Sequence, residues 1–66
     1  MRKVGEMIPL GHPAKLVIMY EEKEKYNPWL FYKVWKDDSG KAHRKKVTAR
    51  ADLTSCIYDI VDLIKQ

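Results

Sequence analysis

Five consecutive apolar residues, from Leu16 to Tyr20, form the strongest hydrophobic run in the first half of the chain. Because both alternating sides of this run are apolar, it is typical of a strand that is central in its sheet or covered on both faces. We therefore predict a strand over residues 15–22. Charged residues follow as far as Pro28, and this proline disfavours a helix before it, which indicates an exposed turn.

The segment from Trp29 to Lys36 is rich in aromatic and β-branched residues, which predicts a second strand. The next four residues, Asp37 to Gly40, favour a type I turn with the glycine in the left-handed conformation. We therefore expect a hairpin that is closed by Asp37 and Lys41 and leads into a third strand.

Counting outward from this turn predicts which residues share a face of the hairpin. The predicted pairs are Trp35 with His43, Lys33 with Lys45, Phe31 with Val47, and Trp29 with Ala49. The other face then carries Leu30, Tyr32, Val34, Lys36, Ala42, Arg44, Lys46, Thr48 and Arg50. A slip of one residue between the strands would mix the two sets, so the prediction depends on the turn type.

The last segment has the clearest helical periodicity in the chain. Asp52 suits the N-cap position, and apolar residues follow at spacings of three and four. These residues are Leu53, Cys56, Ile57, Ile60, Leu63 and Ile64. We expect the helix to lie on the sheet face that bears Trp29 and Phe31, because that face offers the larger apolar area with fewer charges to desolvate.

Together these elements predict an α+β fold, in which a three-stranded antiparallel meander is followed by one C-terminal amphipathic helix on one face. Residues 14–66 would form this single βββα domain. Residues 1–13 would form an N-terminal arm that is irregular or contains a short extra strand. A chain of 66 residues leaves no room for a second domain, and the order of the strands within the sheet is left open.

One helix cannot cover both faces of the sheet. If Leu16 and Ile18 lie on the same face as Leu30, a sizeable apolar area remains on the side away from the helix. The cover would come from the arm, folding back through Ile8 and Leu10, from another protein, or from a second copy of the chain. We favour the arm, because it costs no association entropy.

The residues that could support catalysis or hold a cofactor form no recognisable pattern. The soft and imidazole metal ligands are Cys56, His12 and His43, which lie far apart, and Cys56 is on the apolar side of the helix, where a thiol is usually inert. The scattered glycines form no phosphate-binding loop. We therefore expect a non-enzymatic protein with no metal and no cofactor.

The sequence also bears on the cellular compartment. A single cysteine cannot form an intramolecular disulfide, which favours a reducing environment. We see no signal-peptide core after the basic N-terminus and no run approaching the ~20 apolar residues that span a bilayer. We expect a cytoplasmic protein with no membrane partner.

The formal net charge of +4 is moderate, but its distribution is uneven. Residues 41–50 contain five cations, whereas the last sixteen residues contain three aspartates and one lysine. Cations on an outer strand have two ordinary roles. They discourage edge-to-edge aggregation, or they replace counterions along the phosphates of a nucleic acid.

The predicted order of strands and helix resembles that of double-stranded-RNA-binding domains and of the arm-binding domains of some phage and transposon integrases. The resemblance is one of topology. The RNA-binding domains carry a lysine cluster at the start of their last helix, whereas here Lys45 and Lys46 lie in the third strand and the helix starts with Asp52. No site residue is therefore carried over from these families.

The leading hypothesis is a small nucleic-acid-binding module that uses a basic and aromatic sheet face. Its cations would contact phosphates, and its aromatic rings would add stacking or contact area. The candidate residues are Arg44, Lys46, Arg50, Tyr32, Lys36 and Trp35. DNA and RNA, single- or double-stranded, remain open as partners. The alternative is a protein-interaction module that uses the same face, either a homodimer or a small adaptor or inhibitor such as a mobile element encodes.

Overall fold

The structure is a computed structural model that describes residues 1–65. Its elements are β1 (Arg2–Met7), β2 (Lys15–Tyr20), β3 (Trp29–Lys36), β4 (Ala42–Arg50) and the helix α1 (Leu53–Lys65). The strands form one antiparallel sheet in the order β1-β2-β3-β4. The predicted α+β fold is confirmed, and the N-terminal segment contains the extra strand, which pairs with β2.

The turn between β3 and β4 is formed as the sequence predicts. The Asp37 amide donates to the Lys41 carbonyl at 3.0 Å, and the Gly40 amide donates to the Asp37 carbonyl at 2.9 Å. Gly40 has a φ of 85°, in the left-handed region that glycine adopts without steric cost. The Asp37 carboxylate also accepts the amides of Ser39 and Lys41, each at 2.9 Å. A local sequence signal therefore sets the start of the hairpin.

The pairing of β3 with β4 follows the prediction near the turn and departs from it at a bulge. The confirmed pairs are Trp35 with His43 and Lys33 with Lys45. Tyr32 then pairs with Lys46, but Phe31 pairs with Thr48, so Val47 is an extra residue on β4. A bulge of this kind reverses the alternation of side chains beyond it.

Because of the bulge, the predicted faces are wrong at the end of β4. The pairs Phe31 with Val47 and Trp29 with Ala49 are wrong, because Trp29 pairs with Arg50. Ala49 pairs with Leu30 and therefore lies on the same side of the sheet as Leu30, not on the side of Trp29. Arg50 therefore shares a face with Trp29 and Phe31, and not with Arg44 and Lys46 as predicted.

The sheet has two distinct faces. We call the side that packs against α1 the helix face and the opposite side the open face. On β2 and β3 the helix face carries Leu16, Ile18, Tyr20, Trp29, Phe31, Lys33 and Trp35. The open face carries Val17, Met19, Leu30, Tyr32, Val34 and Lys36. Leu16 and Ile18 do not share a face with Leu30, since Ile18 pairs with Phe31 and Leu30 pairs with Met19.

The hydrophobic core lies between the helix face and α1. Its buried members are Leu16, Phe31, Cys56 and Ile60, and the half-buried Ile18, Trp29, Leu63 and Ile64 pack around them. The predicted position of the helix over Trp29 and Phe31 is confirmed. Asp52 acts as the predicted N-cap, because its Oδ1 accepts the Ser55 amide at 2.8 Å.

The connection between β1 and β2 does not bury its large apolar side chains against the open face. Ile8 and Leu10 are 71% and 103% exposed, so the expectation that the arm folds back through these residues is wrong. Val17 and Leu30 on the open face are nonetheless only 6% exposed each. The open face therefore leaves less apolar area in contact with water than the sequence suggests.

Candidate functional site

The basic part of the open face is built by the hairpin of β3 and β4. Tyr32 pairs with Lys46, and Val34 pairs with Arg44 one step closer to the turn. Lys36 follows two residues later on β3, on the same side because side chains alternate along a strand. The hairpin therefore brings together four of the six predicted site residues, which we call the open-face cluster: Tyr32, Lys36, Arg44 and Lys46.

Arg44 and Tyr32 make the best-defined contact within the open-face cluster. The guanidinium carbon of Arg44 lies 5.0 Å from the centroid of the Tyr32 ring. This distance is typical of a cation–π interaction, which restrains the arginine side chain without neutralising its charge. The contact therefore presents a permanent cation beside a flat aromatic ring.

The positive charges of the hairpin are not balanced by nearby acidic residues. Six basic and two acidic residues lie between Lys33 and Lys46, whereas the remainder of the chain has seven of each. This segment therefore accounts for the whole formal net charge of +4. Within residues 1–65, none of these six cations forms a salt bridge.

The two acidic residues of the hairpin, Asp37 and Asp38, lie at its turn, and the carboxylate of Asp37 is hydrogen-bonded there. The carboxylate of Asp37 accepts hydrogen bonds from Ser39 and Lys41, and its Oδ2 lies 2.7 Å from Nε2 of His43. These contacts, led by the Ser39 hydroxyl and His43, lower the pKa of Asp37 to about 2. The negative charge of Asp37 is thus used within the turn and in the contact with His43, which lies on the helix face.

Arg50 lies on the helix face and is bound there by Asp59. Its Nε and Nη2 atoms donate to the two carboxylate oxygens of Asp59 at 2.6 and 2.9 Å. The hydrogen bonds raise the pKa of Arg50 and lower the pKa of Asp59. The prediction that Arg50 shares a face with Arg44 and Lys46 is wrong because of the bulge, and its guanidinium already has an anionic partner.

Trp35 also lies on the helix face, near the turn. Its ring stacks on His43, with centroids 5.5 Å apart and an angle of 20° between the planes. Nζ of Lys33 lies 5.5 Å from the centroid of the Trp35 ring. Trp35 therefore belongs to a second group of basic and aromatic side chains, separated from the open-face cluster by the thickness of the sheet.

The contact between His43 and Asp37 was not part of the sequence prediction. The signal for it was present, because the predicted register places His43 opposite Trp35 and only two residues beyond the turn. A residue so close to the turn can reach the carboxylate at its first position. This contact couples the side-chain packing on the helix face to the turn geometry.

Cys56 has the inert position that the sequence predicts. The residue is fully buried, its Sγ lies 3.9 Å from the carbonyl oxygen of Trp29, and burial raises the pKa of the thiol. In the described part of the chain, residues 1–65, no group of three or more His, Cys, Asp or Glu side chains is placed to hold a metal ion. Over the same residues, no helix has the length and apolarity needed to cross a membrane.

Comparison of the chain with protein-family models, with curated proteins and with solved structures found no match. The function is therefore argued from the geometry and charge of the open-face cluster.

Proposed function

We propose that this protein is a small, non-enzymatic nucleic-acid-binding module that uses the open-face cluster. The observation that supports this most strongly is the contact of Arg44 with Tyr32, flanked by Lys36 and Lys46 on the same face. Three cations and one aromatic ring thus project to one side of two adjacent strands. A cytoplasmic location is part of the proposal and suits the free thiol of Cys56.

The chemistry of the cluster suits a polyanion. Arg44, Lys36 and Lys46 would replace condensed counterions along a phosphate backbone, which favours binding through the entropy of ion release. The ring of Tyr32 would add contact with a sugar or a base, and stacking on exposed bases would favour single strands. The flat sheet would also fit the major groove of a duplex, which admits a two-stranded β-ribbon.

The proposal is tested by removing equal charge from the two faces of the hairpin. The first variant carries Arg44→Gln and Lys46→Gln on the open face, and its matched control carries Lys33→Gln and Lys45→Gln on the helix face. Affinities for short, labelled single- and double-stranded DNA and RNA would be measured by fluorescence anisotropy at low salt. We expect the open-face variant to bind about tenfold or more weakly, since each lost phosphate contact retains its counterion.

The control should bind nearly as well as the unmodified protein. Arg50→Gln gives a second control, because this arginine is bound to Asp59 on the helix face. Equal losses in the two double variants would show that binding follows total charge and not the open-face cluster. No binding of any nucleic acid at low salt would refute the proposed function.

A protein-interaction module on the same face has less support. Val17 and Leu30, in the apolar part of the open face, are each only 6% exposed. The large apolar side chains with the greatest exposure lie elsewhere, in β1, in the loop after it, at Tyr26 between β2 and β3, and on α1. The open face is therefore better suited to a charged partner than to an apolar one.

A further inference from the structure

An open pocket of about 380 Å³ adjoins the open-face cluster, near the turn that joins β3 and β4. Its lining includes Val34, Trp35 and Lys36 on β3, Ala42 on β4 and Lys15 on β2. Lys15 pairs with Val34 and Lys36 pairs with Ala42, so these four residues share the open face. Because Lys36 belongs to both, the pocket continues the surface of the open-face cluster.

The remaining wall of the pocket comes from the connection between β1 and β2. Ile8 and Pro13 line it, and the side chain of Ile8 is 71% exposed. Between them the His12 amide donates to the Pro9 carbonyl at 3.0 Å, and Gly11 has a φ of 81°. This tight turn brings the chain back on itself, so residues on both sides of it reach the same pocket. Ile8 is thus an apolar side chain that lies outside the core and beside a cationic surface.

The charge of the pocket comes from its two lysines. Nζ of Lys15 lies 3.2 Å from the carboxylate of Glu6, so this cation has an anionic partner. Lys36 forms no salt bridge within residues 1–65, and none of the described residues that line the pocket is acidic. A ligand that fits therefore has an apolar part to contact Ile8 and Pro13 and an anionic group to contact Lys36.

A nucleotide within a single strand has this combination of groups. Its base is flat with apolar faces, and its phosphate carries a negative charge. The volume of the pocket lies in the range of about 300–1,000 Å³ that is typical of small-molecule sites. In a duplex the bases are paired and stacked, so a base would have to be extruded before it reached the pocket. The pocket therefore favours a single strand.

Tyr32 provides a second position for a base on the same face. It lies four residues before Lys36 on β3, which is about 13 Å along a strand. A base stacked on Tyr32 and a base in the pocket would therefore belong to different nucleotides of one strand. Arg44 pairs with Val34, between these two positions, where it would meet the phosphates that connect them.

We infer that the pocket binds one base of a single-stranded nucleic acid, whose backbone follows the open face from Lys36 to Tyr32. The inference rests on the proposed function and names the form of nucleic acid that the open-face cluster recognises. Lys36 holds the phosphate beside the bound base, and Ile8 and Pro13 cover its apolar surface.

The test compares strands that carry equal charge with and without bases. Affinities for an oligothymidylate and for an abasic strand of the same length would be measured by fluorescence anisotropy at one salt concentration. Both strands offer the same phosphates, so the difference reports contacts with bases. We expect the oligothymidylate to bind about tenfold more tightly. A duplex of the same length should bind no more tightly than the oligothymidylate, although it carries twice the charge.

Ala42→Ile separates the pocket from Tyr32. The larger side chain fills the pocket without changing the charge, and a β-branched residue suits a strand. Affinity for the oligothymidylate should fall about fivefold, whereas affinity for the abasic strand should not change. Ile8→Ala removes part of the apolar wall and should weaken binding of the oligothymidylate about threefold. Leu10→Ala is the matched control, because Leu10 is fully exposed in the same connection and is not part of the pocket lining.

The outcomes distinguish this inference from the proposed function. If the Arg44→Gln and Lys46→Gln double variant binds weakly while Ala42→Ile and Ile8→Ala bind normally, the open-face cluster is the site but the pocket holds no base, and the inference is overturned. Equal affinity of the unmodified protein for the two strands would also overturn it. If no nucleic acid binds at low salt, the proposed function fails and the inference fails with it. Circular dichroism would show that each variant is folded.

Discussion

Asp37 shows how one side chain fixes the geometry of the hairpin. Hydrogen bonds from the Ser39 hydroxyl, from His43 and from the Lys41 amide all stabilise its ionised form, which lowers its pKa to about 2. An unfolded chain would have an aspartate pKa of about 3.9. The stability that Asp37 contributes is therefore complete above about pH 4 and is lost as the pH falls toward the folded pKa.

This pH dependence can be tested at the residue itself. An NMR titration of the Asp37 carboxyl carbon should show a midpoint of about 2. Ser39→Ala removes the leading hydrogen bond and should move the midpoint upward, while the hairpin register is checked by cross-strand contacts between Trp35 and His43. A midpoint at the ordinary aspartate value in the unmodified protein would contradict the hydrogen-bond network.

Arg50 shows where sequence reasoning fails at the scale of single residues. Counting cross-strand pairs outward from the turn places Arg44 and Lys46 on one face of the hairpin, and it places Arg50 on the same face. The count fails because Val47 is an extra residue, and no glycine or proline near it marks the bulge. The pairing of Arg50 with Asp59 joins β4 to α1, and the alternation of residues along a strand carries no information about such a contact.

The two ends of the β3–β4 hairpin differ in how far the sequence could predict them. The turn depends on Asp37 and Gly40, whose preferences act within a few residues, so it was predicted correctly. The register beyond Val47 depends on how β4 meets α1, which is a tertiary contact. The same distinction applies to the connection between β1 and β2, whose exposed Ile8 and Leu10 look like core residues in the sequence.

The packing of α1 on the sheet makes Phe31 the most important side chain of the core. It is fully buried and belongs to the cluster that joins β2, β3 and α1. Phe31→Ala removes most of a large side chain and leaves a cavity, so we expect the free energy of unfolding to fall by about 3–5 kcal/mol. Folded domains are stable by only about 5–15 kcal/mol, so this loss would remove a large share of the total stability.

Denaturant unfolding monitored by tryptophan fluorescence would measure this loss. Phe31→Leu should cost less, because it keeps more of the buried volume. Tyr58→Ala provides the matched control on α1, since Tyr58 is 66% exposed and its removal leaves the core intact. If the Phe31 and Tyr58 variants had the same stability, the assignment of the core to the helix face would be wrong.

At the scale of the whole molecule, charge and apolar surface are separated. The net positive charge lies in the β3–β4 hairpin, whereas most of the exposed large apolar residues lie in β1, in the loop after it and on α1. The charged hairpin and the exposed apolar residues of β1 thus lie in different parts of the molecule.

The salt dependence of nucleic-acid binding reports how much of the hairpin is engaged. If only the three cations of the open-face cluster contact phosphates, log K should fall against log salt with a slope of about −3 for a duplex or about −2 for a single strand. If the hairpin enters a groove and uses all six of its cations, the slope for a duplex should be about −5. Removing Lys33 and Lys45 distinguishes the two cases, because each lost phosphate contact makes the slope shallower by about one. A slope of about −3 should stay unchanged, whereas a slope of about −5 should become shallower by about two. A slope near zero would mean that the cations of the hairpin do not contact phosphates, and the nucleic-acid proposal would fail even if some binding were seen.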